Sequence, residues 1–368
     1  MERAAIILAG GQAKRFQVKG ERWIDKALVE LFDKPMLIHV IERVMPVVDE
    51  TIICVNSQTR KLKYSKLLQH YSIRRVKLCI DEQFTFVKKG PAVAIATGLK
   101  ATEADHCIIL PCDTPFIQPS VVEYLLNAVK GADIAVPIHP NGKLETLMMA
   151  CKRSTVVHIA ETLCELGRDR PDDIIRGASE IFFVSTASEL KNHDPEFKSF
   201  INLNSREDLK RLSTRVVKDG PIRESIHLKL GHPTEPELGK LKTGSKYYFR
   251  GNFLKALTIF SSLSIRFESN GLNFWGGISR DKEGETLFDL SERQGHVKSR
   301  EDYYVKGKVA FIKAAKNYAS EAEIYDKNRI ELLAKRAKAD ELWCRRRANN
   351  FNVGCRQDIK GLACNVLK

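Results

Sequence analysis

The residues best placed to do chemistry follow the first apolar run. Leu8-Ala9-Gly10-Gly11-Gln12-Ala13-Lys14-Arg15-Phe16 comes directly after Ala4–Ala9. Two consecutive glycines leave room for a ligand to approach the backbone and can take up positive φ. Successive N–H groups in such a loop form an anion-binding concavity. Arg15 adds a permanent charge with several donors for a polyphosphate. Asp25-Lys26-Ala27-Leu28 then offers a second cation just before another apolar segment. Neither a P-loop nor a dinucleotide fingerprint fits, because no Gly-Lys-Ser/Thr and no Gly-x-Gly-x-x-Gly stands here. An ordinary tight turn with two surface cations would use the same residues.

A carboxylate follows further on. Asp113 lies just past the apolar run His106–Leu110, in Leu110-Pro111-Cys112-Asp113-Thr114-Pro115-Phe116. In open α/β sheets, ligands gather outside the carboxyl ends of the strands. A carboxylate there suits Mg2+, which takes oxygen ligands and keeps several waters. A turn residue in Asp-Thr-Pro is the alternative reading.

The elements that must position these residues alternate. Strands are expected at Ala4–Ala9, Thr51–Val55, Val76–Ile80, His106–Leu110, Asp133–Val136, Leu147–Cys151 and Ile181–Val184. Helices are expected at Lys34–Val47, Lys61–Tyr71, Pro91–Ala101 and Gln118–Lys130, with a short one from Asp172 to Arg176. That alternation predicts an α/β fold, a Rossmann-like and mostly parallel sheet with helices on both faces. Residues 219–246 are rich in Gly and Pro and read as a linker. Beyond it, Tyr247–Glu268 and Val309–Arg347 have helical spacing, which faintly resembles tetratricopeptide-like helix pairs. The expected division is a domain at 1–218, a linker at 219–246 and a mainly helical domain at 247–368. The first part is expected to fold alone, and the helical part to contribute no catalytic group.

Composition bounds the function classes. The chain has 368 residues and a formal net charge of +14, which suits two domains. From Thr214 onward there are 30 Lys+Arg against 19 Asp+Glu, so the second half is the basic one. An acidic protein partner would suit that excess, and so would solubility alone. Nucleic acid is not expected, because Tyr247-Tyr248-Phe249-Arg250 and Tyr303-Tyr304-Val305-Lys306 suit helix packing better than base stacking. No run approaches the roughly 18 apolar residues of a membrane span. Met1–Gly10 lacks the pattern of a signal peptide. Nine irregularly spaced cysteines without a Cys-x-x-Cys pair fit a reduced, cytoplasmic protein.

Four segments in order give a specific resemblance. Leu-Ala-Gly-Gly-x-x-x-Arg-Phe with the later Asp25-Lys26-Ala27-Leu28 resembles the molybdenum cofactor guanylyltransferase and cytidylyltransferase family, within the nucleoside-triphosphate transferase superfamily. Gly90-Pro91-Ala92-Val93 resembles its Gly-Pro-Leu-Ala segment. Pro111–Phe116 resembles its Asp-x-Pro-Phe strand end. Asn202-Leu203-Asn204-Ser205-Arg206-Glu207-Asp208-Leu209 resembles its closing Asn-x-Asn-Thr-Pro-Glu-Asp-Leu. The link between Arg15 and Lys26 is longer than the family's, closer to sugar-nucleotide pyrophosphorylases. Glu145-Thr146-Leu147-Met148 stands where the family has Pro-Leu-x-Ala.

The resemblance implies a Mg2+-dependent nucleotidyltransferase that moves NMP from an NTP to a phosphorylated acceptor, most simply molybdopterin, with GTP favoured over CTP. It nominates Asn204 as a second metal ligand beside Asp113, although a helix cap would also use an Asn there. Arg15, Lys26 and Asp113 would carry catalysis. Leu8, Ala9, Gly10, Gly11, Lys26, Asp81, Gly90 and Asp113 would line the nucleotide site, with Asp81 helping to read the base. An acceptor phosphate is already a nucleophilic anion, so no general base is required. A sugar phosphate or cobinamide phosphate remains an alternative acceptor. A nucleotide-binding regulator without turnover is the alternative of another class.

Overall fold

The computed structural model describes residues 2–11, 16–17, 23–87, 89–205, 208, 219–293 and 297–349. Its centre is an eight-stranded sheet. The strands are β1 (Arg3–Leu8), β4 (Glu50–Val55), β5 (Val76–Ile80), β6 (His106–Pro111), β7 (Ile134–Ile138), β8 (Met149–Lys152), β9 (Glu180–Ser185) and β10 (Ile226–Lys229). The short β2 (Glu30–Leu31) and β3 (Lys34–Pro35) form a separate hairpin. The order across the sheet is β10-β9-β7-β8-β6-β1-β4-β5. β1 pairs in parallel with both β4 and β6, so the connections reverse direction beside β1. That reversal opens a crevice at the carboxyl ends of β1 and β6.

The strand β1 is buried on both faces, as an all-apolar strand in a parallel sheet must be. Ala4 and Ile6 face one core, and Ala5 and Ile7 face the other. The helices α1 (Met36–Val44), α2 (Gln58–His70) and α4 (Pro119–Ala128) cover the second face. The first face is covered by α3 (Pro91–Lys100), α5 (Arg153–Glu165) and α6 (Pro171–Gly177). Gly98 lets α3 sit directly on β1, since a Cβ there would lie 2.3 Å from Ile6. The short α7 (Glu189–His193) packs beside α4 and β9.

The strands and helices expected before residue 219 stand with small shifts at their ends, except that β8 runs antiparallel to both β6 and β7, and the helical runs expected over Tyr247–Glu268 and Val309–Arg347 are each broken, at residues 250–252 and 328–330. The helix expected over Lys34–Val47 starts at Met36, because Lys34–Pro35 is held in β3. The sequence reading left α5 out. Its Thr155, Val156, Val157 and Ile159 are β-branched, a composition that favours strands.

The linker expected over 219–246 is corrected. Ile226–Lys229 is β10, an antiparallel edge strand on β9. A helix, α8 (Glu235–Phe249), begins soon after it. Thr234 and Glu237 close a capping box, with the Thr234 N–H donating to Glu237 Oε2 at 2.7 Å. The chain continues through α9 (Phe253–Ser269), α10 (Asn273–Arg293), α11 (Val297–Lys327) and α12 (Glu331–Asn349). Each packs on its predecessor, and α8 also packs on α5.

The helical region is not a separate body with its own core. Leu238, Leu241, Phe260, Trp275 and Tyr318 belong to the same continuous core as Ala4, Ile6 and Ile52. The Trp275 indole donates to the Gly177 carbonyl at 3.1 Å. The physical reason is charge as well as apolar area. Arg176 is 1% exposed and forks onto both oxygens of Glu321, each at 2.7 Å. Its Nη1 donates to Asp173 at 2.9 Å and to Asp340 at 2.8 Å. A buried guanidinium needs such partners, and two of the three carboxylates come from α11 and α12. No helix among the described residues is long and apolar enough to cross a membrane.

Candidate functional site

The crevice beside β1 is a cleft of about 520 Å³. Its floor is the turn after β1. The Ala9 N–H donates to Cys54 at 2.9 Å, which carries the chain straight off the sheet. The carbonyls of Gly10 and Gly11 are then held on the protein side. Asn56 Nδ2 donates to Gly10 at 2.7 Å and Arg60 Nη2 to Gly11 at 2.8 Å. A Cβ on Gly10 would meet Asp81 Oδ2 at 3.2 Å and the Asn56 N–H at 3.3 Å. One on Gly11 would meet nothing within 4 Å, so this position opens into the cleft. The expected contributions of Gln12–Arg15, Arg15 included, lie outside the described residues.

Lys26 is aimed by its neighbour. Asp25 is buried, with Oδ2 3.3 Å from Arg60 Nε, and its Oδ1 accepts from the Tyr64 hydroxyl at 3.0 Å. Burial, with the Asp25 carboxylate second, pushes the Tyr64 hydroxyl well up, so it remains a donor. The longer link before Lys26 is bridged at its base. Gln17 Nε2 donates to the Ile24 carbonyl and the Ile24 N–H donates to Gln17 Oε1, both at 2.9 Å. Trp23 lies over the Arg60 guanidinium at 4.9 Å.

From that anchor the Lys26 ammonium reaches Asp113 Oδ2, and it donates to Asn204 Oδ1 at 2.8 Å. The three residues are 87 and 178 positions apart in the chain. Asp113 stands at the end of β6, where Cys112 N–H donates to the Leu8 carbonyl at 3.3 Å. The Leu203 N–H donates to the Asp113 carbonyl at 3.1 Å, which fixes Asn204 beside it. The Asn204 N–H donates to Asp208 Oδ2 at 2.8 Å. Asp113 Oδ1 is buried and has no hydrogen-bond partner. Two oxygen donors therefore converge on one positive charge, and a further lone pair waits beside them. That donor set fits a hard, oxygen-seeking cation.

The far wall carries Asp81, Lys89, Gly90 and Pro91. Burial pushes the Asp81 carboxyl up to about 6, against the pull of Arg60. Its Oδ1 has no partner. Gly90 opens α3 at φ +145°, a backbone conformation that favours glycine. Leu147 completes the rim, from the segment Glu145–Met148 that departs from the family pattern. Burial pushes the Cys112 thiol up to about 12, which keeps it an unreactive packing group beside Asp113.

The structure thus brings together Leu8, Ala9, Gly10, Gly11, Lys26, Asp81, Gly90, Asp113 and Asn204 around one cleft. Sequence reasoning missed Asn56, Lys89 and the Asp25–Arg60–Tyr64 group. Asn56 directly follows the strand β4 at its carboxyl end, a position that could have nominated it. The contact between Arg60 and the glycine turn had no sequence signal.

Residues 5–181 match the MobA-like NTP transferase domain. A molybdenum cofactor guanylyltransferase of Shewanella putrefaciens is 33% identical over 207 residues, covering 55% of this chain and 92% of that protein. A probable molybdenum cofactor guanylyltransferase of Methanosarcina mazei is 29% identical over 210 residues, covering 57% of this chain and 89% of that protein. Among solved structures, molybdopterin-guanine dinucleotide biosynthesis protein A from Archaeoglobus fulgidus aligns over 57% of this chain and 95% of its own, with a TM-score of 0.46 and 23% identity.

Proposed function

The chain belongs to the MobA-like NTP transferase family, and from that premise we propose that it transfers GMP from GTP, with Mg2+, to the phosphate of a molybdopterin-type acceptor. A nucleotidyltransferase activity is what the family and its guanylyltransferase relatives support. The observation that carries the finer reading is the convergence of Lys26, Asp113 and Asn204 at the edge of the glycine turn.

In this reading an acceptor phosphate oxygen forms a bond to the α-phosphorus of GTP. The bond from that phosphorus to the β-phosphate oxygen breaks, and pyrophosphate leaves with the electron pair. Asp113 and Asn204 would hold Mg2+, which when bound supplies positive charge beside the phosphate oxygens. The turn at Gly10 and Gly11 gives the polyphosphate close access to the backbone. Lys26, released from Asp113 and Asn204, follows the negative charge to the β- and γ-phosphates, joined by Lys89 and Arg15. Asp81 accepts from the N1–H and the exocyclic amino group of guanine, an adjacent pair of donors that cytosine lacks. Catalysis is then positioning and charge stabilisation, with no base required.

The helical region offers an acidic partner a surface on α11. Val305, Val309 and Ile312 are exposed at helical spacing, with Lys308, Lys313 and Lys316 beside them. The seven described cysteines are all free, in keeping with a cytoplasmic protein. The deciding experiment is pyrophosphate release with each of four NTPs against molybdopterin, sugar phosphates and cobinamide phosphate. Release with GTP and molybdopterin is expected. Tight GTP binding with no release for any acceptor would assign a binding role instead.

A further inference from the structure

Two loops that wall the nucleotide cleft are fastened from behind, and the fastenings lead to α11 and α12. The first loop runs from the end of β5 to Gly90. It rests on the turn between α5 and α6. A Cβ on Gly90 would meet Asp169 at 3.1 Å (Cβ) and 3.2 Å (carbonyl oxygen), and the Asp169 carbonyl accepts from the Ala92 N–H at 3.2 Å. Gly167 of the same turn sits against Phe86 of the loop. The Gly90-Pro91 entrance to α3 therefore has the position that residues 167–169 give it.

That turn is held in its place by Arg168. Its Nη1 donates to Asp340 Oδ2 of α12 at 2.8 Å, and its Nη2 donates to the Tyr318 hydroxyl of α11 at 2.8 Å. Tyr318 is fully buried and Asp340 also takes a bond from Arg176. Asp173, the other carboxylate facing Arg168, lies 3.5 Å away. The second loop, between β7 and β8, carries Leu147 on the cleft rim. Its Gly142 carbonyl accepts from Leu332 N–H at 3.4 Å, and a Cβ on Gly142 would meet the Arg329 carbonyl at 2.5 Å. Both walls are thus tied to the same two helices, which lie outside the segment 5–181.

We propose that Arg168 is a positioning residue for the nucleotide site: it locks the 167–169 turn onto α11 and α12, and through Asp169 it sets where Gly90 meets the nucleotide. Arg168 touches no cleft atom itself. Its guanidinium fork suits the task because one group reaches a carboxylate and a phenol on two different helices at once. The helical region acts through this contact on nucleotide binding while supplying no reacting group. The inference rests on the cleft being a nucleotide site.

The test uses the full chain with Mg2+, saturating molybdopterin as acceptor and GTP, with CTP in parallel. Arg168→Met is expected to raise KM for the nucleotide about tenfold while kcat changes less than about threefold, the pattern of lost ground-state positioning. Arg168→Lys keeps the charge and loses the fork, and should lie between. Arg280→Met removes an equally well-paired arginine, held by Glu268 and Glu283 between α9 and α10. It is expected to lower Tm and leave KM unchanged, as any purely structural loss should. By linkage, nucleotide binding to the wild-type chain should also slow amide exchange in the α11–α12 turn, residues 328–330. That measurement needs no variant to fold. Unchanged KM in folded Arg168→Lys or Arg168→Met, or no exchange response at 328–330 when nucleotide binds, overturns the proposal. Failure of the wild type to bind either nucleotide would instead overturn the reading of the cleft.

Discussion

Replacing Lys26 by Met should move two properties in opposite directions. The Lys26 and Asp113 side chains are only 14% and 15% exposed, and the ammonium is shared with Asn204. A hydrogen bond to a charged group contributes about 1.5–3 kcal/mol. The cleft admits water, so the lower end of that range applies, and Tm should fall by a few degrees at most for a chain of this size. The same ammonium must be displaced before a divalent cation can take both oxygens. Removing it relieves the entering cation of about 1.5 kcal/mol, which is roughly tenfold in affinity. Mn2+ binding without nucleotide should therefore tighten about tenfold in Lys26→Met. Turnover should fall, because a preorganised charge on the polyphosphate is gone, and kcat/KM should drop about a hundredfold or more. Calorimetric titration with Mn2+ and steady-state pyrophosphate release measure the two. A purely structural lysine would weaken both. A Met variant that binds Mn2+ no tighter and turns over within about threefold of wild type would refute the assignment of this triad.

Asp113→Asn removes ligand charge and keeps shape, so it should abolish pyrophosphate release with the Tm within a few degrees of wild type; wild-type rates at saturating Mg2+ would defeat the metal-ligand role. Asp81 has its pKa raised from 3.8 to about 6 by burial, so the folded chain favours its neutral form. The stability it contributes is fully present below about pH 4 and is lost as the pH rises through 6. Asp81→Asn should therefore raise Tm at pH 8 and leave it unchanged at pH 4, while GTP affinity of the wild type weakens between pH 7 and pH 5 and that of the variant stays flat. Thermal melts at pH 4 and pH 8 and calorimetry at pH 5 and pH 7 decide both. A chain ending at Lys218 should fail to give a cooperative melt, since losing the partners of one buried charge costs about 3–5 kcal/mol; a soluble fragment with native GTP affinity would overturn the single-core reading.

Much of this site was legible because the fold writes it locally. Gly10-Gly11 follows β1, Asp113 ends β6 and Gly90-Pro91 opens α3, each a short-range pattern of strand end or helix start. The apolar runs gave the strands, since a strand buried on both faces has nothing but apolar residues to show. What was not legible is what depends on long-range pairing. The Lys26 ammonium meeting Asp113 and Asn204 joins residues that no spacing rule connects. The antiparallel course of β8 depends on how the β7–β8 loop turns back, and the run Met149–Lys152 reads the same in either direction. The supposed linker failed for a different reason. Its prolines and glycines have the composition of breakers, yet Thr234-Glu235-Pro236-Glu237 is a helix-start signal, with proline in the first turn and a capping box around it.

The boundary suggested by sequence similarity is therefore not a boundary of folding. The family segment ends at residue 181 and contains Arg168 and Arg176. Their counter-ions include Glu321 and Asp340, more than a hundred residues beyond it. The exchange runs both ways, for Arg336 of α12 pairs with Asp172 of α6 at 2.5 Å and Lys242 of α8 with Glu161 of α5 at 3.0 Å. Among the described residues Glu235 of α8 also lies 3.4 Å from His158 of α5, so acids and bases of the helical region both cross to the sheet. Lys308, Lys313 and Lys316 of α11 take no part in these pairs and are exposed. The inner faces of α11 and α12 serve the fold and the walls of the cleft. Their outer faces are left free to carry charge, which is how one set of helices can brace a nucleotide site on one side and present a basic surface on the other.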